Sequence, residues 1–274
     1  MISNWLTCSN CIENVYPFTA KFFDEAHEPS DDIQSNISSN LAAAYINPQM
    51  AKAELQILLE SATNIDLDII RNYVECEILP DKNKVATWVG NFGEILTASL
   101  LIEIEGFGFP IYKLRYREKR NWAMRMTDLF LIKMSDSEIP LLCFGEVKTR
   151  SSSCNKDIGI EGHRSLATDD SLNDSPEMLN FVCRMLFEKE DYEQAQIMSK
   201  IRLGKQPHNR RYDLFLIHEL DSWNDEIVER LANHDIDERL SNFSLNVVKI
   251  KNLRILIESC YAKIHDRIEE LINE

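Results

Sequence analysis

Asp128, Glu146 and Lys148 are the residues of this 274-residue chain whose types and spacing could do chemistry. Glu146 and Lys148 stand two apart in Phe144-Gly145-Glu146-Val147-Lys148, and residues two apart on an extended strand share a face. Theirs is the single acid-x-Lys of the sequence, and it closes the apolar run 141–144. Asp128 opens a second apolar run, 129–132, and Ser135-Asp136-Ser137-Glu138 between the two is turn-forming. A hairpin would set Asp128 beside Glu146. Two carboxylates and an ammonium at one strand edge suit attack on a phosphodiester. Hard oxygen donors hold Mg2+ or Mn2+, the cation offsets the charge that develops in the transition state, and a neighbouring lysine adds positive charge near the attacking water. The Val147 side chain would point into the opposite layer while its carbonyl faces the metal edge. The bland alternative is a Glu–Lys pair that only solvates a strand end.

The elements that must position these residues follow from periodicity. Residues 1–84 are expected to be mainly helical, with one helix opened by Asn47-Pro48-Gln49 and a second over 65–74. Pro80-Asp81-Lys82-Asn83 is a turn and a boundary, which divides the chain into a helical region 1–84 and a domain 85–274. Phe92, Ile95, Leu96, Ser99 and Leu100 recur at helical spacing over 87–105, and Gly106 and Gly108 end that helix. The alternation of apolar and basic residues over 111–117 predicts a strand. Strands over 128–134 and 140–148 follow, then a polar loop over 149–174 and a long helix from Ser175-Pro176-Glu177 toward 201. A strand over 212–220, a helix over 223–232, a strand over 243–250 and a closing helix through Leu256, Ile264, Ile268 and Leu271 complete the order. An antiparallel hairpin followed by crossover helices predicts an α/β fold, a mixed sheet with helices on both faces.

Charge narrows the partners. The chain carries 45 acids against 30 bases, a net charge of -15, the opposite of a nucleic-acid coat. Net charge is not local charge, however. Lys113, Arg115, Arg117, Lys119, Arg120 and Arg125 face only Glu118 over 112–126, and these six are the expected DNA contacts. A second basic island holds Lys200, Arg202, Lys205, Arg210 and Arg211. Seven scattered cysteines suit a reducing compartment, and the lone Cys8-x-x-Cys11 lacks the second pair that a structural zinc site wants. The N-terminus shows no basic, then apolar, leader. The best apolar run, 95–104, is broken by Thr97, Ser99 and Glu103, so no membrane span is expected and the chain reads as cytoplasmic.

Thr127-Asp128, Gly145-Glu146-Val147-Lys148 and the helical Gly93-Glu94 together resemble the PD-(D/E)XK nuclease superfamily. Thr127 stands where that motif has its proline. The resemblance implies a restriction-endonuclease-like core in which Asp128, Glu146 and the Val147 carbonyl ligate magnesium, Lys148 positions the attacking water and Glu94 completes the site. More closely, the stretch 89–150 resembles HamA, the family of nuclease subunits of bacterial Hachiman anti-phage systems. That likeness implies DNA degradation and a heterocomplex with a restraining helicase subunit, HamB. An RNase on the same fold and a catalytically degenerate binding subunit are the alternatives; the intact acidic and basic set speaks against degeneracy. His163, Arg164 and Gln194 are further polar candidates for phosphate contact or a helper role.

Overall fold

The apolar runs from residue 128 onward do form strands. A computed structural model describes residues 1–60, 71–108, 113–116, 121, 127–134, 139–152, 155–168 and 176–273. Strands β1 (Leu6–Ile12), β2 (Thr19–Glu25), β3 (Leu129–Lys133), β4 (Leu141–Arg150), β5 (Asn209–Glu219) and β6 (Phe243–Ile250) build one sheet in the order β1-β2-β6-β5-β4-β3. The outer pairs β1/β2 and β3/β4 are antiparallel and the inner pairs are parallel, so the sheet is mixed, as expected.

Helices cover both faces. They are α1 (Asp31–Tyr45), α2 (Pro48–Glu60), α3 (Val85–Glu105), α4 (Ile158–Leu166), α5 (Pro176–Glu188), α6 (Tyr192–Arg202), α7 (Glu226–Ala232), α8 (Leu253–Ala262) and α9 (Ile264–Asn273). Strand alternation sorts the core into two layers. Leu129, Leu131, Val147 and Phe215 join Phe92 and Leu96 of α3 and Leu41 of α1. Phe130, Phe144, Leu214 and Leu216 join Leu166 of α4, Val182 of α5 and Met198 of α6.

Several elements differ from the sequence reading, each for a physical reason. Two strands lie inside the region read as helical. All but the first of the β1 residues are exposed or half-exposed, so this edge strand has no buried face to betray its period. Residues on both sides of position 84 contribute to one core layer, Leu41 and Tyr45 packing with Phe92 and Val147. Lys113–Tyr116 is a 3-10 turn, not a strand, because its alternating charges turn inward to partners described below. The polar loop contains α4, whose buried Ile158, His163 and Leu166 are separated by glycines and charges that hide the helical stripe. The long helix is two: Glu190 takes a left-handed φ of 62°, and the Asp191 side chain caps α6 by accepting from the Gln194 N–H. Most of the helix expected over 65–74, and the turn 135–138, lie outside the described residues.

Among the described residues α3 is the one helix long and apolar enough to cross a membrane. It serves here as the core helix of the sheet: Asn91 to Leu101 are buried without a break. Gly106 ends it in the left-handed region, φ 71°, where its N–H reaches the Ile102 and Leu101 carbonyls.

One member of the second basic island, Arg211 at its end, proves structural. Arg211 pairs with Glu105 at the end of α3 and with the fully buried Asp213, and it stacks over the Phe107 ring at 5.3 Å. A buried carboxylate needs such a partner.

Candidate active site

The site forms because β4 outruns its neighbour. Pairing with β3 ends at Leu129–Gly145, and β4 continues to Arg150. Side chains finish the ladder. The Thr127 hydroxyl donates to the Gly145 carbonyl at 2.9 Å, and Asp128 Oδ2 accepts from the Val147 N–H at 2.9 Å. This is a local reason for threonine before the aspartate. A strand residue's N–H and C=O lie on the same side, so the Val147 carbonyl faces that open edge too.

Glu94 reaches the edge from the other direction. A Cβ at Gly93 would lie 1.8 Å from Thr149 Oγ1 and 3.2 Å from Val147 Cγ1. Only glycine lets α3 settle this close to β4, and the next residue along the helix is Glu94. Its carboxylate is buried, where a helix-surface acid would be exposed. Lys113 Nζ lies 3.1 Å from Glu94 Oε2 and 3.2 Å from Asp128 Oδ1, and it donates to the Thr127 carbonyl at 3.4 Å. Lys148 Nζ lies 2.5 Å from Glu146 Oε1.

The electrostatics are those of crowded carboxylates. Burial chiefly pushes the Glu94 carboxyl up to about 8; Lys113 opposes this, and Asp128 and Glu146 add to it. Burial, then Asp128, raises Glu146, against the pull of Lys148. For Lys113 burial acts downward, but Glu94 and Asp128 outweigh it and hold the ammonium charged. Mutual repulsion among buried and half-buried carboxylate oxygens is what a divalent cation relieves, so the donor chemistry suits Mg2+ or Mn2+. Among the described residues no three acid, imidazole or thiol groups converge closely enough to hold a metal as they stand, and Lys113 bridges Glu94 and Asp128 instead.

The structure therefore brings together Asp128, Glu146, Val147, Lys148 and Glu94. It corrects two of the expected DNA contacts. Lys113 is buried inside the acidic cluster, and the Arg115 Nε donates to the Ala43 carbonyl at 2.8 Å, where it offsets the negative end of α1. Arg117, Lys119, Arg120 and Arg125 lie outside the described residues. His163 is buried away from this edge, its Nε2 accepting from the Asp237 N–H at 3.1 Å, while Arg164 is exposed on α4. Gln194 binds Asp191 in the cap of α6. The site residue that periodicity missed is Lys113, since an alternating stretch places a lysine on the solvent face unless its partners are known.

No curated protein sequence matches the chain. The family profile of HamA does, over residues 1–264, a span that takes in the β1/β2 hairpin, α3, the open edge of β4 and every residue of the acidic cluster. By that match over nearly its whole length, the chain belongs to the HamA family.

Proposed function

We propose that this protein is a metal-dependent nuclease with a PD-(D/E)XK-type core that hydrolyses DNA phosphodiester bonds. The observation that carries the reading is the meeting of Glu94, Asp128, Glu146 and Lys148 at one open strand edge. Asp128, Glu146 and the Val147 carbonyl would hold Mg2+ or Mn2+, with Glu94 completing the set. Bound there, the cation supplies charge neutralisation at the scissile phosphate. Glu146 holds Lys148 at the open strand edge, where its ammonium would orient the attacking water and offset charge on the phosphate oxygens. The Asp128 hydrogen bond to Val147 fixes the first carboxylate against the strand that carries the second. Chelation tests this. EDTA-dialysed protein is expected to leave a DNA duplex intact, and added Mg2+ to restore cutting; cutting that persists in EDTA contradicts the reading.

Membership of the HamA family supports a role in Hachiman anti-phage defence, and with it a helicase partner. Charge supports the same arrangement. A chain at -15 is repelled by nucleic acid at long range, and basic islands attract only within about 8 Å at physiological salt. DNA delivery by a translocating helicase removes that barrier, and a partner that covers the strand edge keeps the nuclease harmless. Glu258 and Glu270 stand exposed on α8 and α9, paired there with Arg254 and Arg267, and offer such a partner a charged face outside the catalytic edge. Tagged protein expressed from its native operon is expected to co-purify with a helicase that lowers its cutting rate. A tagged chain that emerges alone, and whose rate ignores the neighbouring gene product, removes the restraint model while leaving the active site intact.

With Lys113 and Arg115 engaged inside the fold, the phosphate grip falls to Arg117, Lys119, Arg120 and Arg125. Arg117→Glu with Arg120→Glu is expected to weaken DNA binding and flatten its salt dependence, because fewer counterions are released. Binding measured at several salt concentrations checks this; an unchanged slope places the DNA track elsewhere.

A further inference from the structure

We infer that Lys113 is a resident counter-cation which stands in for the divalent metal at Glu94 and Asp128 and sets how tightly the site takes that metal. The inference rests on the nuclease reading and concerns a residue that reading does not use.

Three facts point to it. Lys113 Nζ is within 3.2 Å of oxygens on both Glu94 and Asp128, so one ammonium bridges two of the three carboxylates. Its side chain is 8% exposed, and a lysine is taken this far from water only where carboxylates receive it. It arrives on the short turn Lys113–Tyr116, whose next charged residue, Arg115, is anchored on the Ala43 carbonyl of α1. The ammonium is thus fixed in place and is not a roaming surface charge.

The consequence follows from charge alone. Glu94 is buried at the end of a close helix–strand contact and cannot turn to water. Without a metal, Glu94 and Asp128 need a cation, and Lys113 supplies it. When a divalent ion enters, it meets that fixed positive charge, and the repulsion lowers its affinity. The lysine therefore keeps the apo fold stable and makes metal loading weaker than the carboxylates alone would give. Lys148 does not share this role, because it pairs with Glu146 and is more exposed.

Calorimetry and thermal unfolding with Mn2+ test the idea without any cleavage assay. Lys113→Gln keeps donors near both carboxylates but removes the charge. It is expected to melt below wild type in EDTA, to recover in Mn2+ but not in NaCl of equal ionic strength, and to bind Mn2+ at least about tenfold tighter. Lys113→Arg, which keeps the charge, is expected to bind Mn2+ as wild type does. Equal or weaker Mn2+ binding by Lys113→Gln overturns the inference and leaves the nuclease reading standing. So does a Lys113→Gln protein that stays unfolded with Mn2+ present, since the lysine would then be a structural ion pair only. Absence of Mn2+ binding to both wild type and Lys113→Gln would instead remove the metal site, and the inference with it.

Discussion

Lys148→Ala is expected to lower DNA cleavage by about 10²–10³-fold or more, the usual effect of deleting one preorganised charge at a reacting phosphate or oxyanion. Glu146→Ala is expected to lose it altogether, because the cation keeps only part of its donor set. The two variants differ in stability. Burial and Asp128 make the Glu146 carboxylate uncomfortable in the fold, so removing it relieves repulsion, and Glu146→Ala should melt at or above the wild-type temperature. Removing Lys148 leaves Glu146 without its partner at 2.5 Å and should lower the melting temperature. Opposite signs in stability with a shared loss of cutting mark an active site, whereas a structural ion pair loses stability from either side. Near-normal cutting by folded Lys148→Ala protein contradicts the assignment.

Gly93→Ala is expected to be strongly damaging, because a Cβ there would make the closest contact of any glycine in the chain. The added Cβ falls 1.8 Å from Thr149 Oγ1 and 3.1 Å from Thr149 Cβ, so α3 must lift from β4 or Thr149 must move. Overpacking of this kind costs about 3 kcal/mol, which in a chain of this size lowers Tm by roughly 6–12 °C. Because α3 carries Glu94, cleavage should fall along with stability. Thr149→Ala in the same molecule should recover part of both. The Thr149 hydroxyl has no hydrogen-bond partner among the described residues, so losing it forfeits no bond. A thermal-melt cycle over the two single variants and the double gives the coupling directly. A Gly93→Ala melt within a degree of wild type shows that the helix does not sit as close as described.

The half of the fold that positions the site was legible because its elements are buried. Strands β3, β4, β5 and β6 are apolar runs that a sheet covered on both faces demands, and β6 falls over the very residues expected. Helix α3 shows its period because Phe92, Leu96 and Leu100 must all meet the sheet. Within the site, Asp128, Glu146 and Lys148 were singled out by type and spacing and Glu94 by the family resemblance that includes Gly93-Glu94; what could be read ahead of the structure is that these four share one strand edge. What escaped had its cause in tertiary partners. β1 is polar on both sides at the sheet edge, so its pairing with β2 is invisible to periodicity. The 113–116 turn alternates like a strand, but its two cations are fixed by Glu94, Asp128 and the Ala43 carbonyl, which lie far away in sequence. α4 and the break at Glu190 depend on a glycine-interrupted stripe and on a left-handed residue that is not glycine or asparagine.

Cutting of DNA with a divalent cation at the open edge of β4 is what the proposed function requires. The most direct measurement incubates wild-type and Glu146→Gln protein, side by side, with supercoiled plasmid, single-stranded DNA and RNA in Mg2+ and in EDTA. Wild-type protein should convert the plasmid to nicked or linear form in Mg2+ but not in EDTA, the RNA lane showing whether RNA is cut as well, and Glu146→Gln should cut nothing. Plasmid left whole by folded wild-type protein in Mg2+, both alone and with the proposed helicase partner added, would contradict the nuclease reading.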